Sequence, residues 1–168
     1  MRLIGSNPRR SLENVRIDLG GNFDAVDSNG WTFLMYATQG PIGFEEIQGM
    51  LRLANPNIRS NTGETALMLA SSAGHFNPDW IRGLIEAGAD VNLQNDDGQT
   101  ALMLAGSLFA RYPSDPVEAG ISILHSAGAR TEIRDKAGLT AFDYFDENSK
   151  GMIYPPREVI QRVSALLR

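Results

Sequence analysis

Apolar and polar positions along the chain fall into blocks, and the blocks recur. The string TALMLA fills Thr65–Ala70 and returns at Thr100–Ala105. Each copy follows a polar stretch that ends in a Gly-x-Thr step, giving NTGETALMLA and DDGQTALMLA. The same step stands at Gly30–Thr32 and Gly138–Thr140, followed there by FLMYA and AFDYF. The glycines are 33, 35 and 40 residues apart. Ahead of each step lies a second recurring block: GGNFDAVDSNG (20–30), LANPNIRSNTG (53–63), GADVNLQNDDG (88–98) and GARTEIRDKAG (128–138). Before these blocks sit apolar-periodic stretches such as DWIRGLIEAG and AGISILHSAG.

This spacing predicts local structure. The Gly and its polar predecessors form a tight turn, because Gly takes φ > 0 without a Cβ clash. The Thr is an N-cap, so a short helix starts at TALMLA. A second helix follows, with Trp80, Ile81, Leu84 and Ile85, and ends at Gly88 as its C′ residue. At the N-terminal end, Pro8–Leu19 places Leu12, Val15 and Leu19 on one face and stops at Gly20-Gly21, a lone second helix of a half repeat. At the other end, Arg157–Arg168 carries Val159, Ile160, Val163, Leu166 and Leu167 as an amphipathic closing helix. One unit cannot bury its own apolar face, so units must stack and the end units need a polar outer side. TALMLA recurs because it does the same packing job in two adjacent layers.

The period and grammar resemble the ankyrin repeat. The family pattern runs D-x-x-G-x-T-P-L-H-x-A and later L-L-x-x-G-A-D-V-N. LIEAGADVN (84–92) is nearly verbatim, and DSNGWTFLMYA (27–37) keeps the Asp, Gly, Thr, Leu and Ala. The resemblance covers roughly residues 10–168. It implies an all-α solenoid with β-hairpin-like turns, about four repeats plus an N-terminal half-repeat cap and a C-terminal capping helix. The whole chain, 1–168, is then one domain: half repeat 7–26, repeats 27–59, 60–94, 95–134 with an insertion, and 135–168 with the cap. The family's Pro is Phe33, Ala66, Ala101 or Ala141 here. Its His is Met35, Met68, Met103 or Asp143, which removes the side chain that supports hydrogen bonds around the turn. In the fourth repeat Phe145 stands where a small Ala is expected, and DENSKGMIYPP interrupts the second helix.

Composition narrows the chemistry. Net charge is −5, which opposes a phosphate-backbone binder, since that needs a basic face. There is no cysteine, so disulfides, thiolate metal sites and a cysteine nucleophile are excluded. The N-terminus has no signal-peptide core and no run is long enough to span a membrane, which points to the cytoplasm. His75 and His125 fall in different repeats; His75 reads as a turn residue and His125 as half-buried beside Leu124. No H-x-x-x-H spacing, phosphate loop or nucleophile elbow is present, so neither metal nor cofactor is expected. Asp96-Asp97, Glu45-Glu46 and Asp146-Glu147 read as solvated turn acids rather than a catalytic pair. The expectation is a monomer that is not an enzyme and binds neither nucleic acid nor membrane.

Two insertions and one tryptophan carry the remaining signal. Repeat two gains two residues near Phe76–Asp79, and repeat three gains about seven around LFARYPSDPVEA. The longer one reads as a loop with Phe109, Arg111 and Tyr112 at its tip. Trp31 occupies the x of Gly-x-Thr, which projects from the hairpin tip in the family, so it reads as an exposed anchor. The resemblance further implies a protein-binding module that uses its hairpin tips and first-helix face. Carried onto this chain, the tips are Asn29, Trp31, Arg59, Asn61, Glu64, Gln94, Asp96, Asp97, Gln99, Arg134 and Lys136. The first-helix positions are Gln39, Ser72, Ser107 and Leu108. The tips turn from acidic (Glu64, Asp96, Asp97) to basic (Arg130, Arg134, Lys136), a pattern that would steer a partner of opposite charge order. TALMLA in place of T-P-L-H also looks like small bacterial ankyrin proteins, which implies an alternative: an immunity-type inhibitor of a toxin or enzyme.

Overall fold

The computed structural model describes residues 22–40, 44–74, 76–149 and 157–168. The half-repeat helix expected at 8–19 lies outside them, as does His75. Among the described residues the helices are α1 (Phe33–Gln39), α2 (Phe44–Leu51), α3 (Ala66–Ser72), α4 (Pro78–Glu86), α5 (Ala101–Arg111), α6 (Asp115–Ser126), α7 (Ala141–Ser149) and α8 (Arg157–Leu166). They form two stacks. The inner stack runs α1–α3–α5–α7 and the outer stack α2–α4–α6–α8.

The threonines start the inner helices as expected. Thr32, Thr65 and Thr100 accept the backbone N–H of Met35, Met68 and Met103. In the fourth unit Asp143 replaces the Met, and its carboxylate accepts both the N–H and the hydroxyl of Thr140. The core is one continuous cluster: Leu34, Met35, Leu67, Met68, Leu102 and Met103 from the inner stack meet Ile81, Leu84, Ile121 and Leu124 from the outer one. The small Ala residues of the inner helices let successive helices come close. Gly106 is the extreme case: a Cβ there would lie 3.1 Å from the carbonyl oxygen of Ala141.

The insertion in the third unit is not a loop. It lengthens α5 to 11 residues, against 7 in α1 and α3. Phe109 is therefore not at an exposed tip. It is fully buried, with its ring centroid 6.2 Å from that of Phe145. The oversized residue of the fourth unit and the extra turn of the third fill each other's space. The first four residues of DENSKGMIYPP complete α7, an inner helix, and the rest of that segment lies outside the described residues. The shorter insertion also packs, since the Phe76 ring covers Gly120 on α6, where a Cβ would collide with it. His125 is exposed in the last turn of α6 rather than half-buried, because Leu124 takes the inward position.

Gly98 has φ 82°, and a Cβ on it would lie 2.9 Å from Asp135 Cα and Lys136 N in the next hairpin. Gly98→Val is expected to lose at least about 2 kcal/mol of stability in urea unfolding, from the left-handed strain and the crowding together. Unchanged stability would contradict the turn. Phe109→Ala should cost about 3–5 kcal/mol, while Tyr112→Ala should stay within about 0.5 kcal/mol. Equal, small losses would restore the loop reading.

Candidate interaction face

Each hairpin is built on one side-chain oxygen. Asp27 Oδ1 accepts the N–H groups of Asn29 and Trp31. Ser60 Oγ does the same for Thr62 and Glu64, Asn95 Oδ1 for Asp97 and Gln99, and Asp135 Oδ1 for Ala137 and Leu139. Three residue types thus serve one geometry, because each offers a short acceptor two and four residues ahead of the donors. The turn bonds that the family's His normally supports are carried here by the hairpin's own first residue.

The hairpins are then tied to one another. Asn61 N–H donates to the Asn29 carbonyl at 2.9 Å, Asp96 N–H to Thr62 at 3.0 Å, and Lys136 N–H to Asp97 at 2.9 Å. A second row of bonds runs below. Asn57 joins the Gly88 carbonyl and the Asp90 N–H, and Asn92 joins the Gly128 carbonyl and the Arg130 N–H. A third row uses residues expected to touch a partner. Arg59 donates to the carbonyls of Gly63 and Gln94 and pairs with Asp96 at 3.3 Å. Gln94 donates to Gly98 and Arg134, and Arg134 to Gly138. The sequence reading missed these structural jobs. The signal was there: Arg59, Gln94 and Arg134 each stand four residues before the turn glycine.

The face divides the predicted residues into groups. Asn29, Asp97 and Lys136 are exposed at the tips with their backbones held in the rungs. Asn61 is exposed, and its amide donates to the Ser28 carbonyl. Glu64 is half-buried and accepts from the Thr62 hydroxyl. Trp31 is half-buried instead of projecting freely, because its ring lies 5.0 Å from that of Tyr36. On the inner helices, Gln39 bridges to the Leu69 carbonyl, Ser72 is exposed, Ser107 is buried and Leu108 is half-buried. Arg111 and Tyr112 are exposed at the end of α5, beyond the reach of the tips.

Two tyrosines lock the outermost hairpins. Tyr36 Oη donates to Asp27 Oδ2 at 2.6 Å, and Tyr144 Oη donates to Asp135 Oδ2 at 2.8 Å while accepting from Gln99. The two central units have Leu69 and Leu104 at this position, opposite Ser60 and Asn95, which carry no carboxylate and so no second oxygen to accept a tyrosine hydroxyl. Burial pushes Asp27 up, but bonds from Tyr36, Trp31 and Asn29 outweigh it, and the carboxyl sits below its ordinary value. The bond to Asp27 raises the Tyr36 hydroxyl. Burial chiefly raises Tyr144, with the carboxylates of Asp135 and Asp97 adding to it.

A depressed carboxyl stabilises the fold above its unfolded pKa and loses that contribution as pH falls through the folded value. Wild type should therefore lose stability as pH drops below about 4. Asp27→Asn should cost about 1 kcal/mol at neutral pH and flatten that acid dependence. Parallel stability curves for the two proteins from neutral to acid pH would contradict the assignment.

Among the described residues no group of His, Asp and Glu is arranged to hold a metal ion, and no helix is long and apolar enough to cross a membrane. No curated protein matches the chain. Residues 44–112 match the family model described as ankyrin repeats (3 copies). Such repeats are generally protein–protein interaction modules. That segment of the chain is thus built of ankyrin repeats, and the same hairpin, inner helix and outer helix recur on its C-terminal side.

Proposed function

We propose that this protein is a non-catalytic binding module that takes a partner protein on its hairpin-tip and first-helix face. It acts as a monomer in the cytoplasm, without a cofactor, and does not bind nucleic acid or membrane. The observation that supports this most is the division of labour at the tips. Backbone rungs hold the hairpins rigidly, while the side chains of Asn29, Asp97 and Lys136 stand exposed on them. A preorganised surface loses little conformational entropy on binding. Net charge −5 opposes a nucleic-acid backbone and suits a partner with a basic patch. Occlusion of a toxin or enzyme by this same face is the narrower alternative, and it rests on the TALMLA resemblance.

Affinity capture from the source organism's lysate tests the reading. Wild type and Arg82→Glu, a substitution on the outer stack, should retain one dominant partner. The double variant Trp31→Ala, Asp97→Arg should lose it while remaining folded. A partner that survives the double variant and is lost from Arg82→Glu would place binding on the outer stack. If the partner is a toxin or enzyme, inhibition by the pure protein supports the alternative.

A further inference from the structure

Helix α5 has one side that the described residues cover only in part. From Ala101 to Ala110 every residue is buried except Leu104 and Leu108, which are half-buried. Tyr112 continues the same line and is 68% exposed. These three residues stand four apart, so they form a single stripe along the helix. The residues equivalent to Leu104 are Leu69 on α3, which is buried, and Tyr144 on α7, which is half-buried. The longer α5 carries the stripe beyond the end of α3, because α3 ends at Ser72 after 7 residues. The stripe is about 12 Å long.

Charge gives the stripe a direction. Asp97 is exposed in the hairpin just before α5, within electrostatic reach of Tyr144. Arg111 is exposed in the last turn of α5. The apolar stripe therefore has a carboxylate at one end and a guanidinium at the other. Neither side chain supports the fold: Asp97 enters the hairpin rungs through its backbone alone, and no ion pair ties either residue to another of the described residues.

We propose that the α5 stripe receives an amphipathic helix of the partner, packed antiparallel to α5, with leucine-like side chains over Leu104, Leu108 and Tyr112. Antiparallel packing sets the first turn of that helix beside Arg111 and its last turn beside Asp97. The matching partner then carries Glu or Asp in its first turn and Lys or Arg in its last turn. This is also the arrangement that an isolated helix prefers for its own dipole, so affinity and partner helicity favour the same sequence. The inference rests on the proposed binding face and names the chemistry of what it takes.

The test uses two labelled peptides of about four helical turns with identical leucine stripes. One carries glutamates in its first turn and lysines in its last, and the other has these charges reversed. Fluorescence anisotropy at low salt measures both against the whole protein. The first peptide should bind about tenfold tighter than the second, and the preference should shrink as salt screens it. The double variant Asp97→Lys, Arg111→Glu should invert the preference, and Leu108→Glu should weaken both peptides by at least about tenfold. If Leu108→Glu does not fold, the charge exchange alone decides, since both residues are exposed. Equal binding of the two peptides, or a preference that the exchange leaves unchanged, would overturn the proposal. Should the captured partner still require Trp31 and Asp97 in that event, the binding face stands and only the helix chemistry falls.

Discussion

One oxygen atom at the head of each hairpin sets the geometry on which the rest depends. It accepts the amides two and four residues on, and so fixes the turn that positions the Thr cap and the inner helix. A turn of this kind exposes unpaired backbone groups on both sides, and these must be satisfied. The next hairpin supplies the partners. Each layer is thus completed by its neighbour in hydrogen bonds as well as in apolar burial. Stability in such an array is a property of adjacent pairs more than of single units.

That coupling explains why the units differ where they do. Phe145 requires space that a short α5 would not fill well, and the lengthened α5 brings Phe109 to it. Gly106 removes the side chain that would keep α7 at a distance. Tyr36 and Tyr144 occur where the hairpin head is Asp, and leucines occur where it is Ser or Asn. In each case a departure from the repeat pattern is matched by a second departure at the contact it makes.

Much of the fold was legible in the sequence because it is local. A turn glycine, a Thr cap and a 3.6-residue apolar period act within a few residues, and Gly98 and Thr100 behave as read. What stayed hidden depends on contacts across layers. The string LFARYPSDPVEA contains Pro113 and Ser114, which suggest a loop, and nothing nearby shows that Phe145 is waiting for Phe109. Arg59 and Gln94 have the composition of a binding surface, yet their guanidinium and amide groups are engaged with carbonyls of their own and the following hairpin. Trp31 lies at a tip position as expected, but Tyr36 beside it offers a ring to rest on. Long polar side chains at a tip face both solvent and backbone, and one sequence does not say which they choose.

The functional reading follows from the same constraint. Rungs and heads occupy the backbone and part of the side chains, and the proposed partner surface draws on what they leave, including Asn29, Asp97, Lys136 and the half-buried stripe of α5. The outer stack offers a different surface, a shallow groove of about 330 Å³ between α4 and α6 lined in part by Ile85 and Ile123. Side-chain oxidation footprinting of the protein with its captured partner separates the two faces most directly. The account predicts that the partner shields Trp31, Leu108 and Tyr112 while Ile85, Ile123 and His125 remain as reactive as in the free protein. Protection confined to Ile85, Ile123 and His125 would contradict it.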